Sequence, residues 1–307
     1  MAVDVVGVGV AVIDLKVTVS SVPKPEEVVL AYDYHKHHGG PVANALVTLQ
    51  RLGMRTQYMG MFGDDEYGRL ILDGMNAEGI DTKSVRLAKD ENSAFSIVMV
   101  DSETKARAIA FHAGCGLSVP ADCIDPEAIK SARLLHVDIS TPAVRAACEI
   151  ARSKGIPISV DADALFPGLE ELLEMASIFI PSNDIASALV GEDDPAAAGE
   201  RILKKYHLDV VGATCGKEGS IVVTPKETVH VPGFRVDVAD TTGAGGVYKG
   251  AYLYGHLNGW PIRRTARFAN AAAALMCSGM NGWADIPTLK KVEDLLLRHN
   301  KASDNVG

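Results

Sequence analysis

The run ADTTGAGGVYKGAYLYG (residues 239–255) is a glycine-rich turn that leads directly into a segment of helical period. Its three glycines, Gly243, Gly245 and Gly246, let successive backbone N–H groups point into one concavity, and the dipole of the following helix adds positive potential there. An anion such as a phosphate is the natural occupant. Taken alone, the same residues suit an ordinary tight turn between Phe234–Val238 and a helix equally well. The position after Gly243-Ala244-Gly245 is Gly246, which brings no side chain to the helix mouth.

Outward from this turn, apolar β-rich runs alternate with longer helical segments for most of the length. That alternation predicts an α/β fold with a central, mostly parallel sheet flanked by helices. Strands are expected at VDVVGVG (3–9), ARLLHVDI (132–139), IPISVDA (156–162), ASIFIPS (176–182), DVVGATC (209–215) and SIVVTP (220–225). Helices are expected near 42–52, 65–78, 142–154, 195–206, 244–258, 262–279 and 287–299. In GGPVANALVTLQRLG (39–53), Pro41 suits the first helical position and Gly53 the left-handed stop, so Gly39 and Gly40 stand at a helix N-terminus.

Two stretches, 15–38 and 93–114, carry period-2 patterning outside the alternation. They are expected to form a small β-sheet lid over a site at the strand ends, the second stretch turning at Asp101–Thr104. No repeat, low-complexity tract or linker interrupts residues 1–307, so a single domain is expected.

Of the 307 residues 47% are hydrophobic, enough for a large core. A net charge of -9 argues against a phosphate-backbone footprint, and nucleic acid is not an expected partner. The five cysteines are scattered with no C-x-x-C spacing, which predicts neither a zinc cage nor a disulfide framework and suits a reducing cytoplasm. The apolar start MAVDVVGVGVAVIDL lacks a basic leader and is broken by Asp4 and Asp14, so neither a signal peptide nor a membrane span is expected.

Other phosphate motifs fail on spacing. GATCGK (212–217) has one residue too few between its glycines for a P-loop and continues with Glu218 where Ser or Thr should stand; GVGVAV (7–12) has Val12 where a dinucleotide fingerprint needs its third glycine. An NAD-linked oxidoreductase is accordingly disfavoured. In YHKHHGG (34–40), His35 and His37 would share a strand face, but no carboxylate or cysteine at a ligating spacing accompanies them. Asn44, one turn into the helix, offers a donor and an acceptor to hydroxyls. Asp14, expected to close the first strand, is a carboxylate suited to gripping a pair of hydroxyls or simply a turn residue.

Several separated pieces then agree in order and spacing: VVGVGVAVID, GGPVANALVTLQRLG, MFGDDEYGR, EGIDT, ATCGKEGS, DTTGAG and FANAAAALMCSGMNGWADIPT. With these the chain resembles the PfkB, or ribokinase-like, carbohydrate kinases over nearly its whole length. The resemblance implies transfer of the γ-phosphoryl of ATP to a sugar or nucleoside hydroxyl, with Mg2+, beneath a lid that often dimerises. By position it implies that Asp14, Gly39, Gly40, Asn44 and, more weakly, Arg107 hold the sugar. It places the anion hole at Gly243, Ala244 and Gly245, the nucleotide beside Asn183, Gly216, Gly219 and Asn270, and, as in some members, a monovalent cation such as K+ at Asp240 and Thr242.

Two departures stand out. The family pattern D-T-x-G-A-G-D ends on the aspartate that takes the acceptor's proton, and here that position is Gly246; N-x-x-E becomes Asn183 with Ala186, leaving metal contacts to water or to Asn183 and Asp184. A positioned base contributes roughly 10² to 10⁴ in rate, so two readings follow: an impaired ATP-dependent sugar kinase, or a protein of the same fold that binds sugar or nucleotide without turnover.

Overall fold

The computed structural model describes residues 3–104 and 106–304. In chain order these form β1 (Val5–Val8), β2 (Val12–Val19), β3 (Ala31–Gly39), α1 (Pro41–Arg51), β4 (Thr56–Gly63), α2 (Glu66–Ala77) and β5 (Asp81–Ala88). There follow β6 (Phe95–Asp101), β7 (Arg107–His112), α3 (Pro126–Ser131), β8 (Leu134–Val137), α4 (Pro142–Ser153), β9 (Ile158–Val160), α5 (Leu169–Leu173), β10 (Ile178–Phe179) and α6 (Asn183–Val190). The chain continues through α7 (Pro195–Tyr206), β11 (Val210–Thr214), β12 (Ser220–Val223), β13 (Thr228–Val231), α8 (Ala244–Leu257), α9 (Ile262–Cys277) and α10 (Leu289–Asp304).

Nine strands make one sheet in the order β13-β12-β11-β10-β9-β8-β1-β4-β5, and four make another in the order β3-β2-β6-β7. From β5 to β11 every pairing in the large sheet is parallel, and only β12 and β13 run as antiparallel additions. Strands covered on both faces must be apolar on both. In β1, accordingly, Val5 joins one core with α1, α8 and α9 while Val6 and Val8 join another with α4 and α7. Each valine so buried is worth about 1.5–3 kcal/mol relative to exposure.

The helices begin where the chain supplies caps: Asp65, Thr141, Ser182 and Asp194 accept backbone N–H bonds at the starts of α2, α4, α6 and α7. Such a cap is typically worth about 1 kcal/mol. Pro41 occupies the first turn of α1, and Gly53 just beyond it takes φ +99°.

All six expected strands and all seven expected helices are present. The sequence reading omitted β4, β5, β13, α3, α5 and α6. The strand β4 (TQYMGMFG) is buried at seven of eight positions, so it shows no alternation, while α3, α5 and α6 have eight or fewer residues. The two β excursions do form the separate small sheet, but its first strand opens at Val12 rather than at residue 15. No helix among the described residues is long and apolar enough to cross a membrane.

The large sheet starts at β1, in its interior. One limb runs outward through β4 and β5, the other through β8 and beyond, so connections leave β1 in opposite directions and open a crevice at the strand C-termini. Asp138, just past β8, braces that crevice by accepting from the backbone N–H of Val10 (3.0 Å) and Val42 (3.3 Å).

Candidate active site

A pocket of about 380 Å³, open mouth included, lies between the small sheet and the start of α8. Its roof comes from β2, β3 and β6. Asp14 lies in β2, which corrects the expectation that it closes the first strand, since β1 already ends at Val8. The register pairs Asp14 with His37 on one side and Ser96 on the other, and the Ser96 hydroxyl donates to the Asp14 carboxylate. Burial pushes the Asp14 carboxyl above its usual range, with Asp240 adding to the push and Ser96 opposing it. Gly39 faces the other oxygen of Asp14 so closely that a Cβ there would come within 2.1 Å of it.

The wall comes from the first turn of α1. Gly40 adopts φ +101° and packs on the Val10 carbonyl and Ala11, a conformation and a contact that only glycine accommodates. Asn44 is buried, and its Oδ1 accepts from the Trp283 indole N–H at 2.8 Å. That bond leaves the Asn44 amide Nδ2 beside Gly243, at 3.1 Å from the position a Cβ would take.

The floor is the loop that precedes α8. Gly243, at φ +80°, is the N-cap, and no side chain caps the helix. Ala244 N–H reaches the Thr241 carbonyl at 3.3 Å, whereas the N–H groups of Gly245 and Gly246 meet no backbone or side-chain acceptor among the described residues. Unmet donors at the mouth of a long helix are what an anion requires.

Asp240 joins floor to roof. Its Oδ2 accepts from Lys16 Nζ of β2 at 2.7 Å, and its Oδ1 accepts from Thr242 N (3.0 Å) and Thr242 Oγ1 (2.8 Å). Burial works to raise the Asp240 carboxyl, but Lys16 and Thr242 together hold it below the usual range. Asp240 and Thr242, the pair to which the resemblance assigns a monovalent cation, are thus bonded to each other, and Lys16 already neutralises the carboxylate.

Not every expected residue reaches the pocket. Arg107 is exposed at the start of β7, paired with Val100, and does not line the cavity. Asn270 donates to the carbonyls of Val231 (2.9 Å) and Pro232 (3.3 Å), so its side chain fastens the exit of β13. Gly219, at φ +96°, is packed against Val231 and Gly233, whereas Gly216 faces open space. Asn183 opens α6 with its Oδ1 buried and unpartnered. His35 and His37 do share a face, their rings stacked at 5.6 Å, but among the described residues no group of three His, Cys, Asp or Glu is placed to hold a metal ion.

Sequence reasoning overlooked Lys16, Ser96 and Trp283 around the pocket, and Lys249 behind the start of α8. Tyr248 and Lys249, in the second turn of α8, are both buried. Tyr248 donates its hydroxyl to Ser220 at 2.8 Å, and Lys249 Nζ pairs with Asp161 and lies 3.5 Å from Asp163.

Comparison with known proteins agrees with this architecture. Residues 3–289 match the model of the pfkB family carbohydrate kinases. The chain is 29% identical to the ribokinase of Bacillus subtilis, covering 94% of this chain and 98% of that one. It is 27% identical to a nucleoside kinase of Methanothermobacter thermautotrophicus, covering 92% of each. The structure of Arabidopsis thaliana ribokinase complexed with ribose and ATP superposes with a TM-score of 0.85 at 25% identity, covering 96% of this chain and 99% of that one. The uncapped glycine turn, the lidded pocket above it and the full-length match have one common explanation: the chain belongs to the pfkB family of carbohydrate kinases.

Proposed function

We propose that this chain transfers the terminal phosphoryl group of ATP to a hydroxyl of a sugar or a related small polyol, slowly for want of a base. The observation that carries the reading is the juxtaposition of the two halves of such a site. Asp14 and Asn44 line one side of a single pocket, and Gly243 with the unmet N–H donors behind it forms the other. Asp14 accepts from acceptor hydroxyls, Asn44 Nδ2 donates to them, and the mouth of α8 takes the charge that spreads over the phosphoryl oxygens during transfer.

Magnesium fits Asn183, whose buried Oδ1 lacks a partner, with Asp184 beside it. Bound there, Mg2+ would neutralise phosphate charge. The second reading, binding without turnover, is favoured by Gly246, since no carboxylate stands at the helix mouth where the proton must go.

The test is calorimetric titration over a panel of sugars, sugar acids and nucleosides, with and without ATP and Mg2+. One member of the panel should bind, and Asp14→Ala should weaken it by about 10- to 100-fold, the worth of hydrogen bonds to a charged group. A chain that binds neither ATP nor any of the panel contradicts both readings.

A second copy is the partner proposed for the small sheet. Its edge strands β3 and β7 expose Tyr34 (52%), Ile109 (57%) and Phe111 (53%), apolar groups beside unpaired backbone. Sedimentation velocity should show a dimer at micromolar concentration that Ile109→Lys converts to monomer; a monomeric wild type ends the idea.

A further inference from the structure

Lys249 lies four residues beyond Gly245, so the two share one face of α8. Its side chain is 5% exposed and pairs with Asp161, which is wholly buried in the segment leaving β9. Around it α8 contributes packing groups: Val247, Tyr248, Tyr252 and Leu253 are all buried. An ion pair is a poor choice for stability at such a place, because desolvating both partners costs about what their attraction returns and an apolar pair would serve as well.

Position supplies a reason for the charge. A methyl group built on Gly245 would touch one atom outside the local helix backbone, Lys249 Nζ at 3.7 Å. The space in front of this anion-site glycine is therefore open, and the ammonium borders it. Burial draws the amine's pKa down, but Asp161 and Asp163 more than offset that, so Lys249 carries its charge at neutral pH. Asp161 keeps one carboxylate oxygen without a partner, and the more distant Asp163 side chain is 68% exposed. The ammonium is thus fixed by one carboxylate and only loosely engaged by the second.

We propose that Lys249 is the cation of the phosphoryl site: anchored by Asp161, its ammonium reaches past Gly245 to a phosphate oxygen held at the mouth of α8. This rests on the kinase reading and adds to it a side chain that touches the transferred group. The backbone donors of Gly245 and Gly246 orient the oxygens, and Lys249 supplies a full charge where the helix dipole supplies a fraction. Asp163 yields its 3.5 Å contact when phosphate enters.

The experiment measures binding of ATP with Mg2+, and of AMP as the nucleotide without the outer phosphates, to three variants whose folding is checked by thermal unfolding. Lys249→Met leaves Asp161 buried and unpaired, so the informative variant is Lys249→Met with Asp161→Asn, which removes both charges together. That double variant should bind ATP at least about tenfold more weakly with AMP unchanged. Asp161→Asn alone frees the ammonium and should bind ATP as tightly as the wild type or more so. The proposal is overturned if the double variant binds ATP like the wild type, or if Asp161→Asn alone loses as much as the double variant. A wild-type chain that binds no ATP fails at the earlier step and removes the kinase reading along with this one.

Discussion

Gly246→Asp is expected to raise phosphoryl transfer to the acceptor by at least about a hundredfold, because a positioned general base contributes roughly 10² to 10⁴. The change is not free of structural cost. A Cβ at position 246 would stand 2.7 Å from Asn44 Cβ and 3.1 Å from the Pro41 carbonyl, and one at Gly250, a turn later, would stand 2.6 Å from the Ala45 carbonyl. Helices α1 and α8 therefore meet at glycine distance, and any side chain at 246 must push α1 outward. Overpacking of this kind costs about 1–3 kcal/mol.

Gly246→Ala separates the two effects, since it carries the packing cost without the carboxylate. Both variants should unfold several degrees below the wild type, and only the aspartate variant should gain turnover in a coupled assay of ADP release. Asn44 bears directly on the outcome, because its Nδ2 lies 3.5 Å from the new Cβ and is poised to orient the carboxylate. If Gly246→Asp folds as well as Gly246→Ala yet transfers no phosphate to any acceptor of the panel, the protein is a binder and not a dormant kinase.

What the sequence made legible is what local chemistry decides. Pro41 and Gly53 bounded α1 because a missing N–H and a positive φ are properties of single residues. The unmet donors of α8 were legible for the same reason. The strand β4 was not, because burial on both faces erases the alternation that marks a strand. The residues of the site divide along the same line. Lys249 is buried only because Asp161, 88 positions earlier, arrives at the end of a neighbouring strand. Lys16 finds Asp240 across 224 positions. Neither pairing has a signature in the chain itself. Asn270 divides the same way: the motif around it is local and legible, but the bonds from its Nδ2 to the carbonyls of Val231 and Pro232 are not.

Lys16→Met is expected to be the most damaging single change in the acceptor pocket. Lys16 belongs to the small sheet and Asp240 to the loop that positions α8, with side chains 7% and 18% exposed, so their 2.7 Å ion pair ties the roof to the floor. Removing one partner of a buried pair typically costs about 3–5 kcal/mol, because the other charge is left unpaired. Here the cost is compounded. Asp14 already feels Asp240, and without the ammonium that neutralises Asp240 two negative carboxylates would line the same pocket. Acceptor affinity should fall by about a hundredfold, and the melting temperature should drop with it. Asp240→Asn in the Lys16→Met background removes the stranded charge, and a double-mutant cycle should recover much of the stability. Acceptor affinity should not recover to the same extent, because the roof remains untied from the loop. Should affinity return in step with stability, the pair would be a packing device, and the coupling of the roof to the phosphate loop would have to run through another contact.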